Sequence, residues 1–255
     1  MTAARTERGA ALVTGGAKRI GRAVSLRLAR DGYTVAIHCN RSQDEAQALK
    51  AEIETGGGRA AIVMADLAET AVAERLVANA VQALGPLTLL VNNASIFQAD
   101  EIGKLDLASW QHQFAINLAT PVFLAQAFAA QAPAASAIVN LLDQRVLKTT
   151  PLFFSYSLTK SALHDATRTL AQALAPRIRV NGVAPGPTLP SYRQSAEDFA
   201  RQSAKMPLGH GATPEEIAAA VLYLANAKSI TGAVIPVDGG QHVAWQTPDM
   251  QDLRE

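Results

Sequence analysis

Apolar and polar positions alternate along this chain at two different spacings. Short apolar runs such as AALVTG (10–15), YTVAIHC (33–39) and RAAIVMAD (59–66) are separated by longer stretches whose apolar residues recur every three or four positions. The first pattern reads as strand and the second as amphipathic helix. Helices are therefore expected over KRIGRAVSLRLARDG (ending at Gly32), SQDEAQALKAEIETGGG, ETAVAERLVANAVQALG, roughly 106–131, near 155–175, and TPEEIAAAVLYLAN. Further strands are expected at LTLLVNNAS (87–95), SAIVNLL (136–142), RIRVNGVAP (177–185) and AVIPVD (233–238). Ser42 with Glu45, and Thr213 with Glu216, have the spacing of capping boxes, the second with Pro214 at the first helical position.

The strands are continuous apolar runs, as expected when helices cover both faces of a sheet. Strict strand–helix alternation implies parallel strands joined by right-handed crossovers. The expectation is one α/β domain spanning residues 1–255, with a doubly wound, mostly parallel seven-stranded sheet. The one long irregular stretch, 186–212, has a length that suits a substrate lid.

Composition narrows the class. Of 255 residues, 49% are hydrophobic and 18% charged, enough apolar matter for a sizeable core and too much for disorder. A net charge of +1 gives no reason to expect nucleic acid or an acidic membrane as partner. The single cysteine, Cys39, excludes an intramolecular disulfide and fits a reducing compartment. MTAARTERGA lacks a signal-peptide core, and no run approaches the ~18 apolar residues of a membrane helix. A cytoplasmic protein is expected. His38, His112, His164, His210 and His242 show no metal-ligand spacing, so no metal is assigned.

Candidate chemistry begins at TGGAKRIG, residues 14–21, with glycines at 15, 16 and 21 and Arg19 where a further glycine might be expected. The stretch follows the first strand and opens the first helix. There, glycines let the backbone approach a pyrophosphate and the helix N-terminus favours its charge. At the end of the second strand, HCNRS (38–42) offers no carboxylate for a ribose. Arg41 supplies a guanidinium suited to a phosphate, and Ser42 begins a helix, which together favour NADPH over NADH. Asp66 ends the third strand within reach of an adenine, and Asn92, Asn93 and Ala94 end the fourth. Tyr156 and Lys160 lie four apart on one helix face, where a cation lowers a phenol's pKa and readies it for proton transfer. Small residues in the helices at 106–131 and 155–175 permit close packing on the sheet or on another subunit, and Trp245 in the tail is a candidate subunit anchor.

TGGAKRIG, NNAS (92–95), NLATP (117–121), Tyr156-x-x-x-Lys160, APG (184–186) and VDGG (237–240) occur in the order found in short-chain dehydrogenases/reductases, which the chain resembles from about residue 9 to 243. The resemblance implies a Rossmann-type fold, hydride transfer from a nicotinamide, Tyr156 as proton donor, Lys160 on the nicotinamide ribose, Asn117 holding a water, and a homotetramer. Most of that family has a serine thirteen residues before the tyrosine; here the position is Asp143. An ionised carboxylate cannot donate to a carbonyl oxygen, but it can accept from an N–H. With Arg19, Ser95 and Phe97, this is similar to the pteridine reductases and dihydromonapterin/dihydrofolate reductases of the same class. Carried over by position, Arg19, Ser95, Phe97, Asp143, Tyr156 and Leu189 would contact a pterin lying between Phe97 and the nicotinamide. Gly15, Lys18, Arg19, Ile20, His38, Asn40, Arg41, Ser42, Asp66, Leu67, Asn93, Ala94, Ser95, Tyr156, Lys160, Pro185 and Gly186 would contact NADPH or NADP+. A carbonyl substrate, such as a 3-oxoacyl thioester, ketone or quinone, is the alternative, and a non-enzymatic NADPH-binding regulator is a further one.

Overall fold

A computed structural model describes residues 8–191 and 193–245. Seven strands form one sheet: β1 (Ala10–Val13), β2 (Thr34–Cys39), β3 (Ala60–Met64), β4 (Leu87–Asn92), β5 (Ser136–Leu141), β6 (Ile178–Pro185) and β7 (Val234–Val237). Their order is β3-β2-β1-β4-β5-β6-β7, with every neighbouring pair parallel. The helices are α1 (Arg19–Arg30), α2 (Gln43–Thr55), α3 (Val72–Leu84), α4 (Leu107–Phe114), α5 (Thr120–Gln131), α6 (Phe154–Leu174), α7 (Ala196–Ala204) and α8 (Pro214–Asn226).

Alternate residues of each strand feed opposite faces, which is why the strands read as unbroken apolar runs. Ala11, Val13, Val35 and Ile37 face a core shared with α1, α2 and α8. Ala10, Leu12, Ala36 and Ile138 face the core shared with α3, α5 and the end of α6. Leu12, Leu90 and Ile138 are fully enclosed, and each such side chain contributes about 1.5–3 kcal/mol by burial. An irregularity at Thr88 lets Leu87 and Leu90 point to the same side: Ala10 pairs with Leu87, but Ala11 pairs with Leu89. The chain winds one way from β1 to β3 and the other way from β4, so the carboxyl ends of β1 and β4 open a crevice.

Four expectations change. The single helix over 106–131 is two α-helices joined by a π turn at Ala115–Ala119. The stretch Leu107–Gln131 has 25 residues, and an 18-residue window within it has a mean hydropathy of 1.3, so by length and composition it could cross a membrane, contrary to the reading of its sequence. Half of that window is buried here, with Leu124 and Phe128 fully enclosed against the sheet. The region 186–212 is not wholly irregular, because Ser195 caps α7 by accepting from the Asp198 amide. The Ser42–Glu45 box does not form: Ser42 makes no side-chain cap, and Glu45 pairs with Lys18 instead. The Thr213–Glu216 box forms in both directions. Trp245, the last described residue, is exposed; the tail beyond it lies outside the described residues.

Candidate active site

Two connected features occupy the crevice. A cavity of about 370 Å³ is lined by Gly15, Lys18, Arg19, Ile20, Gly21, His38, Asn40, Asp66, Leu67, Asn93, Ala94, Ser95, Ile96 and Ile116. A larger one, about 610 Å³, shares Arg19, Ile20, Asn93 and Ser95 with it and continues past Phe97, Asp143, Tyr156, Lys160, Pro185, Gly186 and Leu189. Most of the sequence-derived residues therefore converge, with three exceptions. Arg41 and Ser42 follow Asn40 at the start of α2 and line neither cavity. Asn117 lies behind the loop that carries Ser95 and also lines neither cavity.

The glycine loop is fixed from both sides. The Gly15 and Gly16 amides donate to the His38 ring at 3.0 Å and the His38 carbonyl at 2.9 Å. Asn93 Nδ2 donates to the carbonyls of Thr14 at 2.8 Å and Gly15 at 3.1 Å, and the Thr14 hydroxyl accepts from the Asn93 and Ala94 amides. Gly21 has to be glycine, because a Cβ there would lie 2.1 Å from the Gly15 carbonyl oxygen. The donors left for an anion are the first-turn amides of α1, a turn that carries no acidic residue. Arg19 has a φ of 53°, a left-handed backbone in which glycine is at ease and arginine is strained. Its guanidinium donates to the carbonyls of Leu189 at 3.3 Å and Pro190 at 3.0 Å, tying this loop to the segment after β6.

β5 and α6 bring the candidate chemistry together. The Tyr156 hydroxyl donates to Asp143 Oδ2 at 3.0 Å, and Arg145 grips the same carboxylate with its guanidinium at 3.0 and 3.1 Å and its amide at 2.9 Å. Lys160 Nζ donates to the Leu141 carbonyl at 2.7 Å, with Nζ 5.7 Å from the Tyr156 ring centre. Both Tyr156 and Lys160 are buried. The expected lowering of the tyrosine pKa does not occur. Burial, then the adjacent Asp143 charge, hold the phenol well above its ordinary value, outweighing Arg145. Burial lowers Lys160 to about 8 despite Asp143.

Asn117 sits in the π turn, the kind of irregularity that collects at functional sites. Its Oδ1 accepts from the Ile96 amide at 2.9 Å and the Ser95 hydroxyl at 3.1 Å, and its Nδ2 donates to the Ile96 carbonyl at 2.9 Å. Asn117 thus clamps the loop that carries Ser95 and Phe97. Phe97 does not offer a bare face: Phe153 stacks on it at 4.2 Å, and Tyr156 meets it edge-on at 4.7 Å. The guanidinium carbons of Arg145 and Arg193 lie 5.1–5.5 Å from both the Phe97 and Phe153 ring centres, beside the pair rather than over one ring.

Phe153, Arg145, Arg193 and Asp100 were missed in the sequence. Asp100 accepts from the Ser155 amide at 3.0 Å and so caps α6 from 55 residues away along the chain, where no local pattern could signal it. Arg145 lies two residues from Asp143, and that proximity is the one signal that could have found it.

Comparisons place this geometry among known proteins. A family model described as enoyl-(acyl carrier protein) reductase matches residues 15–242. The crystal structure of FolM alternative dihydrofolate reductase 1 from Brucella canis, complexed with NADP, is 52% identical with a TM-score of 0.93, covering 97% of this chain and 99% of that one. Its counterpart from Brucella suis, also with NADP, is 53% identical with a TM-score of 0.92, covering 95% and 98%. The 3-oxoacyl-[acyl-carrier-protein] reductase FabG of Staphylococcus aureus is 31% identical over 247 residues, 91% of this chain and 98% of that protein.

Proposed function

We propose that this chain, which belongs to the short-chain dehydrogenase/reductase family, is an NADPH-dependent reductase of a pteridine C=N bond. The observation that carries the reading is the Asp143 carboxylate, 3.0 Å from the Tyr156 hydroxyl and ion-paired to Arg145. Reduction of a ketone calls for donors around its oxygen, whereas an ionised carboxylate only accepts. A pteridine presents N–H groups beside its C=N bond, so Asp143 can hold the ring while Tyr156 faces the nitrogen that gains a proton.

The residues present fit the cofactor. Lys18, Arg19 and the acid-free first turn of α1 suit a pyrophosphate, and Asn40 stands at the end of β2 where an acid would favour NADH. Arg41, exposed and next to Asn40 of the smaller cavity, is the cation we assign to the 2′-phosphate. The NADP-bound Brucella relatives support this cofactor and a pteridine or folate substrate. NADPH, when bound, supplies the hydride.

The chain's own residues do the rest. Tyr156 keeps its proton at neutral pH, because burial and Asp143 raise its pKa, and so remains available to a nitrogen made basic by reduction. Lys160 fixes a cation beneath the phenol, held by the Leu141 carbonyl. Arg19 and Arg193 draw the segment after β6 over the cavity, Arg193 by donating to the Phe97 carbonyl at 3.1 Å.

The test is steady-state NADPH oxidation with dihydrobiopterin, dihydrofolate and an acetoacetyl thioester. Turnover of a dihydropterin or dihydrofolate is expected. Turnover of the thioester alone would sink the pteridine reading and point to the carbonyl chemistry named for the Staphylococcus aureus relative.

A further inference from the structure

We infer that His38 is a positioning residue for NADPH: its neutral ring, protonated on Nε2, sets the glycine loop that presents the anion-binding turn of α1. The inference rests on the NADPH reading above.

The tautomer follows from the partners. A backbone amide can only donate, so Nδ1, which receives the Gly15 N–H at 3.0 Å, carries no proton. A carbonyl can only accept, so Nε2, 3.2 Å from the Ala65 carbonyl oxygen, is the protonated nitrogen. The ring is buried, and burial pushes its pKa down to about 4, which keeps it neutral under ordinary conditions. The Ala65 bond, then the Asp66 charge, oppose that shift only in part.

The bond matters because of what Gly15 supports. Gly15 has a φ of 59°, one of several conformations open to glycine, so its hydrogen bonds select which one the loop takes. The Gly15 carbonyl packs against Gly21 so closely that a Cβ on Gly21 would meet it at 2.1 Å, so loop and helix start move as one body. Removing the ring leaves the Gly15 amide without its acceptor and frees that body to shift. On the other side, the Nε2 bond ties the loop to Ala65, next to Asp66 on the far wall of the smaller cavity. One side chain therefore sets the spacing between the two walls of the nucleotide cavity while itself contacting the loop rather than needing to contact the ligand.

Two substitutions separate the two bonds. In His38→Asn the amide oxygen falls close to the Nδ1 position and keeps the acceptor for Gly15, while the reach to Ala65 is lost. In His38→Ala both are lost. NADPH affinity is read by fluorescence titration and KM for NADPH by steady-state kinetics with a dihydropterin. His38→Ala is expected to weaken NADPH binding about 10-fold by both measures, with His38→Asn recovering most of that loss. Nitrogen-15 NMR of the unsubstituted protein gives a check that no variant's folding can spoil: Nδ1 should show the shift of an unprotonated acceptor and Nε2 that of an N–H. Wild-type NADPH affinity in His38→Ala, equal losses in both variants, or an Nδ1–H ring would each overturn the inference. Failure of the unsubstituted protein to bind NADPH would instead remove the cofactor reading, and this inference with it.

Discussion

The Tyr156 hydroxyl donates to Asp143 Oδ2 at 3.0 Å while Arg145 holds both oxygens of that carboxylate, so the acid lies between a phenol and a guanidinium. Burial, then the Asp143 charge, keep the phenol protonated, while Arg145 pulls the other way.

Replacing Asp143 by asparagine keeps the size and removes the charge. Arg145 then loses its ionic partner in a half-buried site, and a substrate N–H loses a charged acceptor. The expected result is a fall in kcat/KM for a dihydropterin of roughly 10- to 100-fold, with NADPH affinity within about twofold of the original. Steady-state kinetics and a binding titration read the two effects separately. Undiminished pteridine turnover in Asp143→Asn would remove the carboxylate from the mechanism.

Lys160 sets the alkaline limb. Its folded pKa, about 8, lies below its ordinary value of 10.5 because burial penalises the charge. Between those values the unfolded chain binds a proton that the folded one has lost, so this group's contribution to stability rises with pH across that window. Activity that needs the cation moves the opposite way. The profile of kcat/KM for NADPH, which reports the free enzyme, should bend downward near pH 8 while the protein shows no loss of melting temperature from this group. In Asp143→Asn the bend should move to lower pH, since Asp143 is the charge that supports the lysine. A bend near 10, or none, would contradict the assignment.

Arg19 occupies a left-handed backbone, which costs an ordinary residue about 1 kcal/mol that glycine does not incur. Arg19→Gly should therefore relieve strain, although glycine's greater freedom in the unfolded chain offsets part of the gain. The same change removes the bonds to Leu189 and Pro190. The expected pattern is a melting temperature equal to or up to about 3 °C above the original, with KM for the pteridine raised several-fold. A variant with unaltered kinetics would reduce Arg19 to a surface charge.

Much of this was legible in the sequence, and the boundary is physical. Strand and helix patterns predicted all seven strands because the inner strands are enclosed on both faces, which leaves unbroken apolar runs, and the half-covered edge strands β3 and β7 keep the same run. Tyr156 and Lys160 were readable because both lie on one helix, where spacing determines the shared face. The π turn over AINLA carries no local signal, since its extra residue is demanded by the fit of Asn117 to Ile96 and Thr159, distant in the chain. Two similar capping patterns diverged for a similar reason: Glu216 answers Thr213, while Glu45 finds Lys18 across the glycine loop. Phe153 on Phe97 and the rise in the Tyr156 pKa are tertiary effects, set by what happens to surround each group.

Arg41 tests the choice between the two nicotinamide cofactors. It is exposed, it follows Asn40 at the edge of the smaller cavity, and it precedes Ser42, the N-cap of α2. The first turn of α2 carries Asp44 and Glu45, which would repel a phosphate, and Lys18 answers Glu45. The guanidinium is thus the main local reason for a 2′-phosphate to bind here. Arg41→Ala should weaken NADPH about 10-fold and leave NADH nearly unchanged, because only the former carries the extra phosphate. The difference should also shrink as salt is raised, since the contact is solvent-exposed and screened. Titrating both cofactors against the variant at low and high salt reads all three outcomes, and a full NADPH preference in Arg41→Ala would transfer the discrimination to the amides of α2.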